Sequence, residues 1–301
     1  MNDLERLEAM LRARPASLSN EQRRAAYEAL GDLFPLAGDV RVEQVNAHGV
    51  PAEWTSTPVA STSEVILYLH GGGYAWGSLK SHRHLVSEVG RAAMMRTLAL
   101  DYRRAPEFPF PQALEDSVSG YRFLLDSGFS SRQIAVAGDS AGAGLAVALL
   151  VRLKEVGLQQ PACALLFSPW VDMTATADSY SRNAQRDPIL NREIMQFLAE
   201  QYLGKRSRET PLASPVFADL NGIAPLTIFV GSTEALLDDA ITLTRASGLA
   251  DVGVRLEIWP KMCHIWPNYH QVLAQGRQGV ARAGRLLREA VDAASIDEPH
   301  R

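Results

Sequence analysis

Cysteine is scarce. Cys163 and Cys263 are the only two in 301 residues, and they lie far apart in the chain. Two distant thiols imply no disulfide framework, so a reducing, cytoplasmic compartment is the expectation. A basic excess is missing as well. The net charge is −4, which points to neither nucleic acid nor an anionic membrane as a partner. No apolar run approaches the roughly 20 residues that a membrane span needs. The start, Met1-Asn2-Asp3-Leu4-Glu5, lacks the basic and then apolar stretches of a secretory signal. There is no internal repeat and no low-complexity tract. No His, Cys, Asp or Glu cluster has metal-ligand spacing, so no metal is expected.

What is present suits a soluble globular chain. Hydrophobic residues make up 47% and charged residues 21%, so a sizeable core forms without staples. The length fits one large α/β domain with an accessory segment, or two small domains. Short β-branched runs alternate with helical patterns. Buried strands are expected at 65–69, 98–100, 134–137, 162–167, 226–230 and 254–259. Helix-like spacing of apolar residues marks 80–93, 112–127, 142–155, 236–248 and 271–293. This alternation predicts an α/β fold with a mostly parallel central sheet and helices on both faces. Residues 42–45 and 54–58 add an antiparallel hairpin at the start.

Two stretches break the alternation. Residues 1–38 read as one or two amphipathic helices before any strand. Residues 178–212 form a polar loop and a helix-like run where a short connection would suffice. Both are expected to form a helical cap over the C-terminal edge of the sheet. The core is then 39–177 and 213–295, and 296–301 is a polar tail.

Gly138-Asp139-Ser140-Ala141-Gly142 follows one of the strands and opens a helix. This is Gly-x-Ser-x-Gly between strand and helix, where a sharp turn lifts the serine Oγ clear of the backbone. Small flanking residues are needed at so crowded a turn. The helix that follows offers positive potential and a free N–H at Ala141. Ser140 is therefore the candidate nucleophile. His70-Gly71-Gly72-Gly73 ends the strand at 65–69. Three successive glycines give up backbone entropy on folding. What they gain is close approach of main-chain N–H groups to a ligand. In acyl transfer such groups stabilise the negative carbonyl oxygen of the tetrahedral stage. The spacing is neither that of a phosphate-binding lysine loop nor of a dinucleotide fingerprint. His70 reads as an orienter of this loop rather than a proton carrier.

These two motifs together resemble the hormone-sensitive-lipase-like family of microbial carboxylesterases, within the α/β-hydrolase superfamily. Asp101-Tyr102-Arg103-Arg104-Ala105-Pro106-Glu107, Phe110-Pro111, Leu114-Glu115-Asp116 and Ser168-Pro169-Trp170 look like further segments of that family. The likeness runs from about residue 65 to 275. It implies an esterase for short- to medium-chain acyl esters, a small-molecule substrate and no cofactor. It assigns Gly72, Gly73 and Ala141 as oxyanion donors, and it implies cis bonds at Ala105–Pro106 and Phe110–Pro111. Lactone hydrolases and acetyl-hydrolases of the family share the same machinery and remain alternatives. A non-catalytic small-molecule binding protein is a remote alternative, because receptors of this type have lost the histidine.

The fold orders its triad as Ser, acid, His. His264, in Lys261-Met262-Cys263-His264, lies in the loop just past the strand ending near Trp259. It is the candidate base, with His270 as the runner-up. Lys261 stands where the family usually has glycine. For the acid, Gly231-Ser232-Thr233-Glu234 follows the strand at 226–230 and Asp238 lies one turn further on. Glu234 is nearest the strand tip and is the expected acid; Asp238 is the alternative. Tyr74, Trp76, Phe34 and Met195 are expected to line the substrate pocket, together with Leu33, Ile194 and Leu198. The strand at 254–259 is expected near a sheet edge, where pairing with a second copy gives a homodimer.

Overall fold

The computed structural model describes residues 2–13 and 19–296. Among these, eight strands form one sheet: β1 Arg41–Ala47, β2 Val50–Ser56, β3 Ser61–Leu69, β4 Met95–Leu100, β5 Ile134–Asp139, β6 Cys163–Phe167, β7 Leu226–Gly231 and β8 Val254–Trp259. Their spatial order is β1-β2-β4-β3-β5-β6-β7-β8. β2 runs antiparallel to β1 and β4, and every other neighbouring pair is parallel. The helices are α1 Asp3–Arg12, α2 Asn20–Leu33, α3 Leu79–Ala93, α4 Gln112–Asp126, α5 Ala141–Glu155, α6 Ser179–Arg182, α7 Arg192–Leu203, α8 Leu237–Leu249 and α9 Ala274–Ile296.

Strand alternation divides the core. Val65, Leu67 and Leu69 of β3 point to one face with α4, α5 and α8, while Ile66 and Tyr68 point to the other with α3 and α9. α5 is apolar nearly all round, because it is buried between the sheet and the α4 side. β8 departs from the expectation of a buried strand. It closes one side of the sheet and is only half-buried, with Ile258 exposed. Its apolar residues therefore have one neighbour where an inner strand has two.

The hairpin at the start is present: β1 contains the expected 42–45, whereas β2 begins before the expected 54–58 and ends at Ser56, short of its bound. The polar tail expected at 296–301 lies outside the described residues from 297 onward. Among the described residues, no helix is long and apolar enough to cross a membrane.

The parallel order brings the C-terminal ends of β3, β5, β6, β7 and β8 to one edge. Register places Leu69 beside Gly138, Asp139 beside Phe167, and Gly231 beside Trp259. The loops that leave these ends are therefore neighbours, whatever their separation in sequence.

Candidate active site

Ser140 stands between β5 and α5 with φ 54° and ψ −120°. Such a conformation costs about 1–3 kcal/mol and persists only when its surroundings enforce it. Here the Ser140 N–H donates to the Phe167 carbonyl at 2.8 Å, and the Ser140 carbonyl accepts from Trp170 at 3.0 Å and from Gly144 at 3.1 Å. Gly142 is packed so tightly that a β-carbon there would strike the Leu69 carbonyl. α2, α3 and α7 begin with side-chain caps from Ser19, Ser78 and Asn191. α5 has none, because the serine at that position is turned away. The N–H groups of its first turn, Ala141 among them, stay without a side-chain acceptor.

The glycine loop lies against this elbow. Gly72 has φ +111°, and a β-carbon on it would collide with the Trp76 carbonyl. Gly73 lies against the Leu198 side chain of α7. Gly71 N–H donates to Asp139 Oδ1 at 3.1 Å, which ties the loop to the residue before Ser140. His70 sits as an orienter would. Its Nδ1–H reaches the Gly71 carbonyl at 2.7 Å, and its ring stacks on Tyr102. Burial, reinforced by the nearby His82, pushes the His70 pKa down to about 3, so the ring carries no charge near neutrality.

Three side chains from distant segments meet in a line. His264 Nε2 is 2.9 Å from Ser140 Oγ, and His264 Nδ1 is 2.9 Å from Glu234 Oε2. A buried carboxylate accepts, so Nδ1 carries the proton and Nε2 is left to receive one from the serine. Glu234 is fully buried, and its other oxygen accepts from Gly231 N–H at 2.5 Å and Ser168 Oγ at 2.8 Å. Burial acts to lower the His264 pKa, but the Glu234 hydrogen bond and charge outweigh it, and the net shift is upward.

Asp238, the alternative acid, points elsewhere and accepts from Ser179 N–H at 2.8 Å. His270, the alternative base, stacks on His84. Ser168 was not foreseen. Besides serving Glu234, it accepts Ile265 N–H at 3.1 Å, so one hydroxyl fixes both the acid and the loop carrying His264. The sequence marks it only as the first residue of the family-like Ser168-Pro169-Trp170 segment after β6, with no role attached.

Of the expected pocket residues, Trp76 lines a groove of about 450 Å³, with Leu11, Tyr27, Leu190, Ile194 and Phe197 among the other walls. Tyr74 is not on that groove; it is buried, its ring stacked on Tyr202 at 3.8 Å. Met195 turns to the core side of α7, leaving its neighbours Ile194 and Phe197 on the groove. Phe34, past the end of α2, packs against His84 and Tyr269 instead, and Leu33 is exposed. Both implied X–Pro bonds, Ala105–Pro106 and Phe110–Pro111, are cis. Among the described residues, no group of three or more His, Cys, Asp or Glu side chains is placed to hold a metal ion.

Residues 66–268 match the family described as alpha/beta hydrolase fold. The chain is similar to an acetyl-hydrolase of Streptomyces hygroscopicus, 46% identical over 274 residues that span 90% of each chain. It is similar to an esterase of Acinetobacter venetianus, 32% identical over 266 residues and 88% of each chain. A solved esterase from the bacterial hormone-sensitive lipase family superposes with a TM-score of 0.94 at 44% identity, covering 96% of this chain and 98% of that one. The chain belongs to the α/β-hydrolase fold family, among the hormone-sensitive-lipase-like carboxylesterases, and is a carboxylic ester hydrolase.

Proposed function

We propose that the enzyme hydrolyses short- to medium-chain acyl esters through an acyl-enzyme on Ser140. The observation that carries this reading is the Ser140–His264–Glu234 line, with both hydrogen bonds at 2.9 Å. Ser140 Oγ attacks the ester carbonyl and its proton passes to His264 Nε2. The carbonyl oxygen, now negative, is held by the N–H groups of Gly72, Gly73 and Ala141. The tetrahedral intermediate collapses, the C–O bond to the alcohol breaks, and His264 gives its proton to the leaving oxygen. A water then loses its proton to His264 and attacks the acyl carbon. The acid departs and Ser140 regains its hydrogen. Glu234 keeps the imidazole in the Nδ1–H tautomer and stabilises its cationic form.

The groove beside Trp76 has apolar walls at Leu190, Ile194 and Phe197, which suit the uncharged acyl part of an ester, and Arg12, Arg23, Asn191 and Glu193 also line it. An acetyl-hydrolase activity is the second reading, supported by the 46% identity to a protein of that name. A panel of p-nitrophenyl esters of rising acyl length, acetylated compounds and simple lactones, run beside Ser140→Ala, tests both. Hydrolysis that survives in Ser140→Ala removes the acyl-enzyme reading.

Residues 1–38 and 178–212 are proposed as one cap. Arg12 of α1 donates to the Gln185 and Arg186 carbonyls at 3.0 and 3.2 Å, and Asn20 of α2 bonds Gln201 of α7 at 3.2 Å. A cytoplasmic location is proposed because both cysteines are free, buried thiols. Pairing of β8 with a second copy is the proposed route to a homodimer, and a monomeric mass in solution removes it.

A further inference from the structure

Segment 178–190, part of the insertion between β6 and β7, wraps the loop that carries the triad acid. Asn183 Nδ2 donates to the Glu234 carbonyl at 2.8 Å. Ser179 Oγ donates to the Ala235 carbonyl at 2.6 Å. Asp187 completes the wrap. One of its oxygens accepts Ala235 N–H at 2.8 Å, and the other accepts Ile189 and Leu190 N–H at 2.9 and 3.0 Å. The side chain is 5% exposed. A single buried carboxylate thus joins the groove wall at Ile189 and Leu190 to the peptide following Glu234.

We propose that Asp187 is a positioning residue for ester hydrolysis, clamping the Glu234–Ala235 turn and placing a second negative charge beside the Glu234–His264 pair. The inference rests on the triad reading above. Three hydrogen bonds from fixed main-chain groups hold the carboxylate in place. Water is excluded around it, so its field is weakly screened. Among the anionic groups that act on His264 are Glu234 after β7, Asp187 in the insertion and Asp139 at the end of β5. Asp187 also faces Tyr180 of α6 and Cys263, and burial holds both of those in their neutral forms. After burial and the dominant Glu234 contribution, the Asp187 charge further favours the imidazolium that forms as Ser140 attacks.

The test is the pH dependence of kcat/KM for Asp187→Asn and Asp187→Glu, with the deshielded Nδ1–H proton of His264 titrated by NMR in each. Asp187→Asn removes the charge. Its acid limb and the His264 titration are expected to move together to lower pH. Its kcat is expected to fall by roughly ten- to a hundredfold as the turn loosens. Asp187→Glu keeps the charge and leaves the limb near its original place. A folded Asn variant whose limb and His264 titration match the unsubstituted enzyme overturns the inference, and so does a Glu variant shifted as far as the Asn variant. If Asp187→Asn does not fold, Asp187→Ser carries the same measurement. Activity retained by Ser140→Ala strikes down the triad reading instead, and the NMR titration still reads the effect of Asp187 on His264.

Discussion

The Asp139 carboxylate accepts the Gly71 N–H at 3.1 Å, so the residue just before Ser140 holds the first glycine of the loop beside it. The same oxygen accepts Tyr68 Oη–H at 2.9 Å, and His82 Nε2 faces the other at 3.3 Å. The proposed nucleophile is therefore tied, through Asp139 and Gly71, to the loop that carries the proposed oxyanion donors Gly72 and Gly73. Asp139→Ala is expected to lower kcat by roughly a hundred- to a thousandfold, the usual effect of losing one oxyanion donor. Asp139→Asn, which keeps an acceptor for Gly71, is expected to recover part of that loss. Steady-state kinetics beside near-ultraviolet circular dichroism checks both.

The two carboxylates after β7 separate cleanly. Glu234 bonds His264, whereas Asp238 caps Ser179. Glu234→Gln is expected to lower kcat by about a thousand- to ten-thousandfold, because an amide favours the wrong imidazole tautomer. Asp238→Asn is expected to change kcat less than about tenfold, through the surrounding loop alone. A greater loss in Asp238→Asn, read from turnover, reverses the assignment.

The direction of the His264 shift fixes the pH profile. An imidazole with a raised pKa stays protonated, and unable to act as base, to a higher pH than usual. Activity is therefore expected to rise with pH through a value above the ordinary histidine figure of about 6.5. Glu234→Gln removes the main cause and is expected to move that limb to lower pH. The measurement is kcat/KM against pH in both enzymes.

Two other histidines contribute to the loss of stability in acid. Burial lowers the His70 pKa to about 3 and the His84 pKa to about 4. As pH falls below about 6.5, each takes a proton in the unfolded chain but not in the folded one. Folding stability is then lost by up to about 1.4 kcal/mol per pH unit for each group, until the folded pKa is reached. His84→Asn is expected to flatten the fall in Tm between about pH 6.5 and 4. Thermal melts across that range read it directly.

Sequence pattern reached far into this protein. Strand periodicity and the Gly-x-Ser-x-Gly turn are local signals, and β3, β5 and the start of α5 lie where they indicate. Glu234 reads as the acid ahead of Asp238 because it lies nearest the tip of β7, and that place brings its carboxylate within 2.9 Å of His264 Nδ1. What escaped depends on three-dimensional register. β8 is expected both as a buried strand and at a sheet edge, and its place at the end of the sheet is what leaves it only half-buried. Ser168 matters only because β6 lies between β5 and β7, and Asp187 only because the insertion folds back over Ala235. Phe34 was expected at the substrate. It lies just past the end of α2, and that chain exit turns it toward Tyr269.

The most direct test of the account is the reaction of the intact enzyme with a p-nitrophenyl alkylphosphonate, followed by peptide mass spectrometry. One phosphonyl group per chain, carried by the peptide containing Ser140 and formed in step with loss of esterase activity, is the predicted result. Full inactivation with the adduct on another residue, or hydrolysis that continues unchanged with Ser140 fully modified, would contradict it.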